Sequence, residues 1–315
     1  MQTEQPYTIV KESANDSKAW RSVLFETALT SLAIYASTSG NWGLWLIGQG
    51  ILAISMFHWF VLMHDMGHGG FFSNRKWNIW WGHMASLICL IPFFPWKSVH
   101  HTHHVWTGWA ENDPTRPHKE LTDMPDWAIR FMNFCWKYWI PIFVVSFCAE
   151  TFYNLNRLGT LYPSKKRRRQ HVLSIGWIIG IHLLVALVIG KMYFQIFGLA
   201  FLLNILFSDP ILLSQHTHLD QHHVGDQKVR PHSFKDQDLF TRTLIYPAWY
   251  SRYILYHFDK HGFHHQHPTI PSYHLEKYGN ANRNTIHWWE WLIRAKAIPA
   301  STLIYQSYKD TNIRL

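Results

Sequence analysis

The sequence is poor in cysteine and in charge, and each scarcity argues against a class of protein. Its three cysteines, Cys89, Cys135 and Cys148, form no CxxC pair and lie among apolar residues, so neither a disulfide framework nor a thiolate metal site is indicated. Charged residues make up only 16% of the 315 residues, whereas 48% are hydrophobic and 17% are aromatic. This balance is more typical of a membrane protein than of a soluble one.

Two further absences concern targeting and nucleic acid. Residues 1–20 are polar and carry acids, so they lack the basic start and apolar centre of a cleavable signal. We expect them to form a cytoplasmic tail. The net charge is +9, yet no nucleic-acid module accompanies it, and the densest basic run, KKRRR at residues 165–169, lies between apolar segments. Beside a spanning helix such a run marks the cytoplasmic side and contacts anionic lipid, so no nucleic-acid partner is predicted.

Long apolar runs alternate with histidine-rich polar segments. Four runs predict membrane-spanning helices: residues 23–39, 43–63, 172–190 and 193–213. All but the first approach the roughly 20 residues that a bilayer crossing needs, whereas the first is short and contains Glu26. The short turns SGNW and GKM are expected to join the four into two helical hairpins.

Two other apolar stretches, residues 77–95 and 136–153, are interrupted by Pro92, Pro95 and Pro141. Such interruptions are expected in re-entrant or interfacial helices. If residues 77–95 crossed the membrane, the histidine-rich segments on either side would lie on opposite faces. We therefore expect both stretches to lie along the cytoplasmic face, which places every histidine-rich segment on that side.

Three clusters stand out among the 23 histidines: HDMGH from residue 64, HHTHH from residue 100 and HGFHH from residue 261. Residues spaced i, i+3 and i+4 share one face of a helix, so eight imidazoles are predicted to project from three helical faces toward a common point. They are His64, His68, His100, His103, His104, His261, His264 and His265. His101 is predicted to point away from this face.

A fourth histidine-rich segment, SQHTHLDQHH, follows the last predicted span, and His216 is its simplest ninth member of the set. So many buried imidazoles would be costly without a metal. Eight or nine nitrogens exceed what one first-row ion binds, which predicts two ions. Iron fits best, because structural zinc usually takes four ligands and often thiolates. Isolated histidines, namely His58, His83, His182 and His287, are interpreted as ordinary polar residues.

The three motifs resemble the histidine boxes HxxxH, HxxHH and HxxHH of the membrane fatty-acid desaturase superfamily. ENDP at residues 111–114 and HPTIPSYHL at residues 267–275 are similar too, so the resemblance covers a catalytic core of residues 64–275. Together with the apolar runs it implies an all-α integral membrane protein. About four transmembrane helices in two hairpins, interfacial helices and a cytoplasmic di-iron cap are expected. Because no repeat or linker appears, we treat residues 1–315 as a single domain.

The resemblance implies that two iron ions are held by the eight box histidines and by one more His or Asn before the third box. His216 is predicted for that place, with His218, His222 and His257 as open alternatives. Three acids lie beside the boxes: Asp65, Asp113 and Asp259. They either orient imidazole N–H groups or serve as ordinary helix caps and surface acids.

The resemblance also implies an enzyme that uses O₂ to oxidise an unactivated C–H bond of an apolar lipid or acyl substrate. A fatty-acid desaturase, which introduces a double bond, is the leading interpretation. A carotenoid ketolase or hydroxylase, or a fatty-acid hydroxylase or decarboxylase, remains an alternative, because the boxes do not encode which product forms. A non-enzymatic metal transporter is a remote alternative, since it would place its histidines within spanning helices.

Electrons are expected from a separate donor such as a ferredoxin or cytochrome b5, because no HPGG haem stretch, CxxC pair or GxGxxG flavin fingerprint is present. We expect a multi-pass protein of a bacterial inner membrane or an equivalent membrane, surrounded by lipid. The histidine boxes and both termini are placed on the cytoplasmic side. The chain length, carbon position and head group of the substrate stay open.

Overall fold

The computed structural model describes residue 10 and residues 12–117, 120–225, 228–279 and 282–315. Within these residues the chain is built mainly from α-helices. They are α1 (Asp16–Ser37), α2 (Trp42–His68), α3 (Arg75–Cys89), α4 (Phe93–Trp106), α5 (Asp126–Lys137), α6 (Phe143–Cys148), α7 (Leu155–Leu161), α8 (Lys165–Ile189), α9 (Lys191–His216), α10 (Ala248–Tyr253), α11 (His261–Gln266), α12 (Trp288–Lys296), α13 (Ala300–Tyr305) and α14 (Tyr308–Thr311). Short 3₁₀ segments at Leu121–Asp123, Phe234–Phe240 and Ser272–Lys277 and a π segment at Ala149–Tyr153 lie between them.

Three described helices are long and apolar enough to cross a membrane: α2, α8 and α9, with 27, 25 and 26 residues. The first predicted span, residues 23–39, is helical within α1 but does not reach that standard. Its Glu26 is fully buried, and the carboxylate pairs with Nδ1 of His58 on α2 at 2.9 Å. Helix α1 begins at Asp16, so the last residues of the predicted tail are helical, while residues 1–9 and 11 lie outside the described part.

Both predicted hairpin turns are present. Helix α1 ends at Ser37 and α2 begins at Trp42, where Asn41 caps the new helix by accepting from the backbone N–H of Leu44. Helices α8 and α9 meet at Gly190, whose φ of 57° suits a residue without a Cβ. Each hairpin therefore returns the chain with very few connecting residues.

The two ambiguous apolar stretches are interrupted, as their prolines predict. Helices α3 and α4 meet at an angle of 102° across residues 90–92, where Leu90 has a φ of 58°. An angle this large makes the pair either a broken span or a re-entrant loop. Helices α5 and α6 are separated around Trp139, which has a φ of 60°, and Pro141.

One element departs from the purely helical expectation. Strands β1 (Thr243–Ile245) and β2 (Thr285–His287) pair in parallel, with Thr243 opposite Thr285. The hydroxyl of Thr243 accepts from the backbone N–H of Gly262 at 3.1 Å. The small sheet therefore holds α11, which carries the third histidine motif, against the rest of the fold.

Candidate metal centre

All nine predicted histidines meet at the ends of α2, α4 and α9 and on the short helix α11. Five of them form one group. Their Nε2 atoms approach in series: His68 to His100 at 3.0 Å, His100 to His104 at 3.1 Å, and His104 to His264 at 3.0 Å. The fifth is His64, since nitrogens of His64, His68, His100 and His264 all lie within 4.8 Å of one another.

The other four histidines form a second group. Nε2 of His216 lies 3.1 Å from that of His103 and 2.7 Å from that of His261, which is 3.1 Å from that of His265. Nitrogens of His103, His216 and His265 lie within 4.8 Å of one another. His216 therefore sits among the box histidines, one turn beyond the apolar part of α9.

Hydrogen bonding at the second group leaves lone pairs facing each other. Nδ1 of His103 donates to Oδ2 of Asp113 at 2.7 Å, and Nδ1 of His216 donates to the carbonyl of Phe240 at 3.1 Å. A neutral imidazole carries one N–H, so both Nε2 atoms hold lone pairs although they lie 3.1 Å apart. Two lone pairs cannot form a hydrogen bond, whereas a cation between them would bind both.

Two more imidazoles are fixed in the same tautomer. Nδ1 of His265 donates to Oε1 of Gln237 at 3.0 Å, and the amide is oriented because its Nε2 donates to the carbonyl of His104. Nδ1 of His64 donates to Oδ1 of Asp65 at 3.1 Å. Nε2 of His64 is then buried without a hydrogen-bond partner among the described residues. Partners of this kind orient metal-binding imidazoles in proteins.

The protonation states around the third motif suit a metal site. Burial lowers the pKa of His261, His264 and His265 well below the usual range, which keeps these imidazoles neutral near pH 7. Burial alone would raise the pKa of Asp113, but the facing His103 and the hydrogen bonds to the carboxylate lower it to about 2. Neutral imidazoles beside an ionised carboxylate are what ligation requires.

The spacing of the nitrogens also fits metal ions. For metal–nitrogen bonds of about 2.1 Å, two ligands at right angles place their nitrogens about 3.0 Å apart. The contacts within the two groups run from 2.7 to 3.1 Å. The donor set, the orphaned Nε2 of His64 and the facing lone pairs together fit two ions, one in each group.

The alternatives to His216 lie elsewhere. His218 contacts the carbonyl of Ile313 at 3.0 Å, His257 bonds to Ser251, and His222 packs beside the indole of Trp109. His101 is exposed and outside both groups, as its position on the helix predicts.

The acids beside the motifs and the isolated histidines also differ in whether they contact the two histidine groups. Asp65 and Asp113 accept from imidazole N–H groups, which is one of the two roles left open for these acids, whereas Asp259 accepts from the hydroxyl of Ser251 at 2.7 Å. His58 pairs with Glu26 and His182 bonds to Tyr193, as expected of ordinary polar residues.

Sequence reasoning missed two kinds of supporting residue. Gln237 and the carbonyl of Phe240 lie far along the chain from the imidazoles they orient, and no local pattern marks them. Gly67 permits close packing of α2 against α4, because a Cβ there would lie 2.2 Å from Cζ3 of Trp96. The glycine within HDMGH is a sequence signal of this close packing, but the sequence does not indicate that Trp96 is the residue it packs against.

An apolar cavity of about 310 Å³ lies between α2, the α3–α4 bend, α6 and α9. Phe60 forms part of its wall, and the Phe60 ring packs against Phe258 with centroids 5.4 Å apart. Phe258 in turn meets His64 edge to face at 5.5 Å. The Phe60 ring also meets His64 directly, with centroids 6.4 Å apart, so Phe60 and Phe258 both lie between the cavity and the first histidine group.

The model of the family described as fatty acid desaturase matches residues 40–294. The chain belongs to the fatty acid desaturase family. The matched region contains both histidine groups and extends beyond the predicted core of residues 64–275 at either end.

Three relatives of this desaturase-family chain are plant enzymes. An endoplasmic-reticulum omega-3 fatty acid desaturase of Vigna radiata var. radiata is 27% identical, over 81% of this chain and 68% of its own length. A chloroplastic sn-2 acyl-lipid omega-3 desaturase (ferredoxin) of Helianthus annuus is 28% identical, over 81% and 60%. An endoplasmic-reticulum acyl-lipid omega-3 desaturase (cytochrome b5) of Arabidopsis thaliana is 26% identical, over 81% and 67%. The chain thus spans about 60% to two thirds of the length of these relatives.

Proposed function

We propose that this chain is an O₂-dependent membrane oxidoreductase that introduces a double bond into a fatty acyl chain. One observation carries the proposal: nine imidazoles converge in two groups whose Nε2 atoms face each other at about 3 Å, beside an apolar cavity. Membership of the fatty acid desaturase family and the names of the relatives support the same reaction.

The two groups support a proposed set of ligands. One ion would be held by His64, His68, His100, His104 and His264, and the other by His103, His216, His261 and His265. When bound there, two iron ions supply the activation of O₂ that an unactivated C–H bond requires. The protein supplies orientation, since Asp65, Asp113 and Gln237 fix the tautomers of three of these imidazoles.

The cavity is the proposed place for the acyl chain. Its wall is formed by apolar side chains such as Met56, Ile91 and Leu212, which suit a hydrocarbon and offer few hydrogen bonds. Phe60 and Phe258 lie between it and the first histidine group. The carbon that reacts is then set by how far the chain passes these two rings.

We further propose that the histidine centre lies on the cytoplasmic side of a single domain, residues 1–315, with α1 as a fourth crossing. The exposed basic run at residues 165–169 begins α8, and positive charge beside a span favours the cytoplasm. His171, one turn further along α8, contacts Oγ of Ser98 on α4 at 3.0 Å. The basic run and the second histidine motif are therefore at the same end of the spanning helices.

A separate one-electron donor is proposed as the partner. The names of two relatives specify a ferredoxin and a cytochrome b5, so both kinds serve this family. Either donor approaches from the aqueous side on which the histidine centre lies.

Expression in cells that contain acyl lipids and carotenoids, followed by analysis of both product classes, tests the proposal. New unsaturated fatty acids are expected from the wild type and from His101→Ala, whose side chain is exposed, and none from His104→Ala. Hydroxy or shortened acyl products, or oxidised carotenoids with unchanged fatty acids, would reject desaturation in favour of another reaction.

A further inference from the structure

Helix α1 lies before residue 40, where the family match begins, yet its side chains reach the chain on both sides of the third histidine motif. The contact ahead of the motif is made by Glu26, whose side chain is fully buried between helices. A buried ionisable group is costly unless it is paired, so its presence within an apolar run indicates a functional role. The partners of Glu26 define that role.

The carboxyl group of Glu26 contacts two aromatic side chains. Its Oε1 lies 2.9 Å from Nδ1 of His58 on α2 and accepts from the hydroxyl of Tyr256, which precedes α11. Burial and the nearby carboxylate raise the pKa of the Tyr256 phenol, which therefore stays protonated and donates. Glu26 thus ties α1 to the segment that leads into the third motif.

His58 holds the same segment at a second point. Its Nε2 lies 3.0 Å from the carbonyl oxygen of Ile254, which can only accept, so Nε2 donates there. The imidazole also stacks on the Tyr256 ring, with centroids 4.0 Å apart and 10° between the planes. We call Glu26, His58 and Tyr256 the clamp, because together they hold residues 254–256 against α1 and α2.

The clamped segment continues into a turn that needs outside support. Tyr256 and His257 have φ values of 50° and 60°, a left-handed backbone that residues with a Cβ rarely adopt and that persists only where contacts hold it. The backbone N–H of Lys260 donates to the carbonyl of His257 at 3.1 Å, and that of His264 donates to the carbonyl of Lys260 at 3.0 Å. The position of the turn is therefore passed directly to α11.

The residues around the start of α1 contact the other side of the third motif. The backbone N–H of Asn15 donates to the hydroxyl of Tyr273 at 2.9 Å, and Nζ of Lys277 donates to Glu12 at 2.8 Å. Tyr273 and Lys277 both lie in the 3₁₀ segment that follows α11. These contacts are exposed and contribute less than the buried clamp, but they place α11 between two segments that the N-terminal part of the chain holds.

We propose that Glu26 is a positioning residue for the third histidine motif, acting through His58 and Tyr256 on the turn that precedes α11. The clamp residues lie outside both histidine groups. Helix α11 supplies histidines to both groups, so a shift of the turn would disturb both proposed ions together. The consequence for metal binding rests on the proposed metal centre, whereas the clamp itself rests on contacts within the chain.

Tyr256→Phe is the main variant, because it removes the phenol–carboxyl bond but keeps the ring stack on His58. Glu26→Gln is the second variant, since it keeps an acceptor oxygen and removes the charge. Gln49→Leu is the control: Gln49 is 0% exposed, lies nearer the start of α2, and its amide donates to α1 at 2.8 Å. This control should lower thermal stability without affecting residues 254–256.

Hydrogen–deuterium exchange of the purified full-length protein, together with iron content under increasing chelator, tests the proposal. In Tyr256→Phe we expect residues 254–266 to exchange several-fold faster, and both irons to be lost together at a lower chelator concentration than in the wild type. Glu26→Gln should change both readouts in the same direction. Gln49→Leu should lower the melting temperature at least as much, yet keep wild-type exchange in this segment and both irons.

Wild-type exchange of residues 254–266 in both clamp variants would overturn the proposal. Equal acceleration in Gln49→Leu would also overturn it, because the effect would then be a general loss of stability. Faster exchange with wild-type iron retention would reject the positioning role, since the turn would move without disturbing the histidines. The exchange measurement needs neither turnover nor a particular metal, so failure of the clamp is distinguishable from failure of the proposed reaction.

Discussion

Replacement of Gln237 by alanine should weaken one histidine group and spare the other. Gln237 is 1% exposed, and its amide bonds twice: Oε1 accepts from Nδ1 of His265 at 3.0 Å, and Nε2 donates to the carbonyl of His104 at 2.6 Å. Truncation leaves a buried donor and a buried acceptor without these partners. His265 belongs to the second group, so the ion held there should be affected first.

The magnitude follows from those two contacts. Each buried polar group left without a partner costs about 1–3 kcal/mol. Oγ1 of Thr107 lies 3.4 Å from Nδ1 of His265 and can replace part of the lost bond. Loss of a residue that orients a metal-binding imidazole typically costs about 10–100-fold in metal affinity, and we expect a value in that range for Gln237→Ala.

Iron content measured after incubation with increasing chelator tests this prediction. At a chelator concentration where the wild type keeps two irons per chain, Gln237→Ala should keep one. Gln266→Ala is the matched control, since Gln266 follows His265 directly but is only partly buried, and its amide bonds to the carbonyl of Lys235. Retention of both irons by Gln237→Ala at that concentration, or equal loss from the control, would refute the reasoning.

Three further predictions concern packing, pH and product. Gly67→Ala should destabilise the protein by about 1–3 kcal/mol in thermal denaturation, because its new methyl group meets an indole ring. Gly180→Ala on α8 is the control, since its methyl group has open space and should not destabilise the protein. Equal destabilisation by the two substitutions would contradict the packing argument. Hydrogen bonds with Lys277 and Tyr278 lower the pKa of Glu12 from 4.5 to about 2. The ionised carboxylate therefore stabilises the fold fully above pH 4.5, and this stabilisation is lost as the pH falls through about 2. Glu12→Gln should therefore shift the denaturation midpoint near neutral pH but not near pH 2, and a shift independent of pH would contradict the assignment. Phe60→Ala should move or broaden the double-bond positions seen by mass spectrometry, and an unchanged product pattern would exclude the cavity as the acyl site.

The histidine centre was largely predictable because its spacing is local. A face of i, i+3 and i+4 residues is set by helical geometry alone, so the shared face of His100, His103 and His104 and the exclusion of His101 needed no tertiary information. The division that places His103 in the second group depends on packing with α9 and α11. His216 was predictable as the first histidine after an apolar run, although only the packed structure separates it from His218.

The supporting residues depend on which segments pack together. Gln237 lies in the 3₁₀ segment Phe234–Phe240, and nothing in its local sequence distinguishes it from a surface glutamine. The parallel pair of β1 and β2 joins short segments about 40 residues apart, too short to show a strand pattern. Helix α1 shows the limit of hydropathy, because its buried Glu26 is compensated by His58 on another helix.

Metal analysis combined with iron X-ray absorption on the purified wild-type protein tests the central claim most directly. Two irons per chain are expected, with a coordination shell dominated by imidazole nitrogen, because nine histidines converge in two groups. One zinc per chain at full occupancy, with no iron bound, would contradict the account.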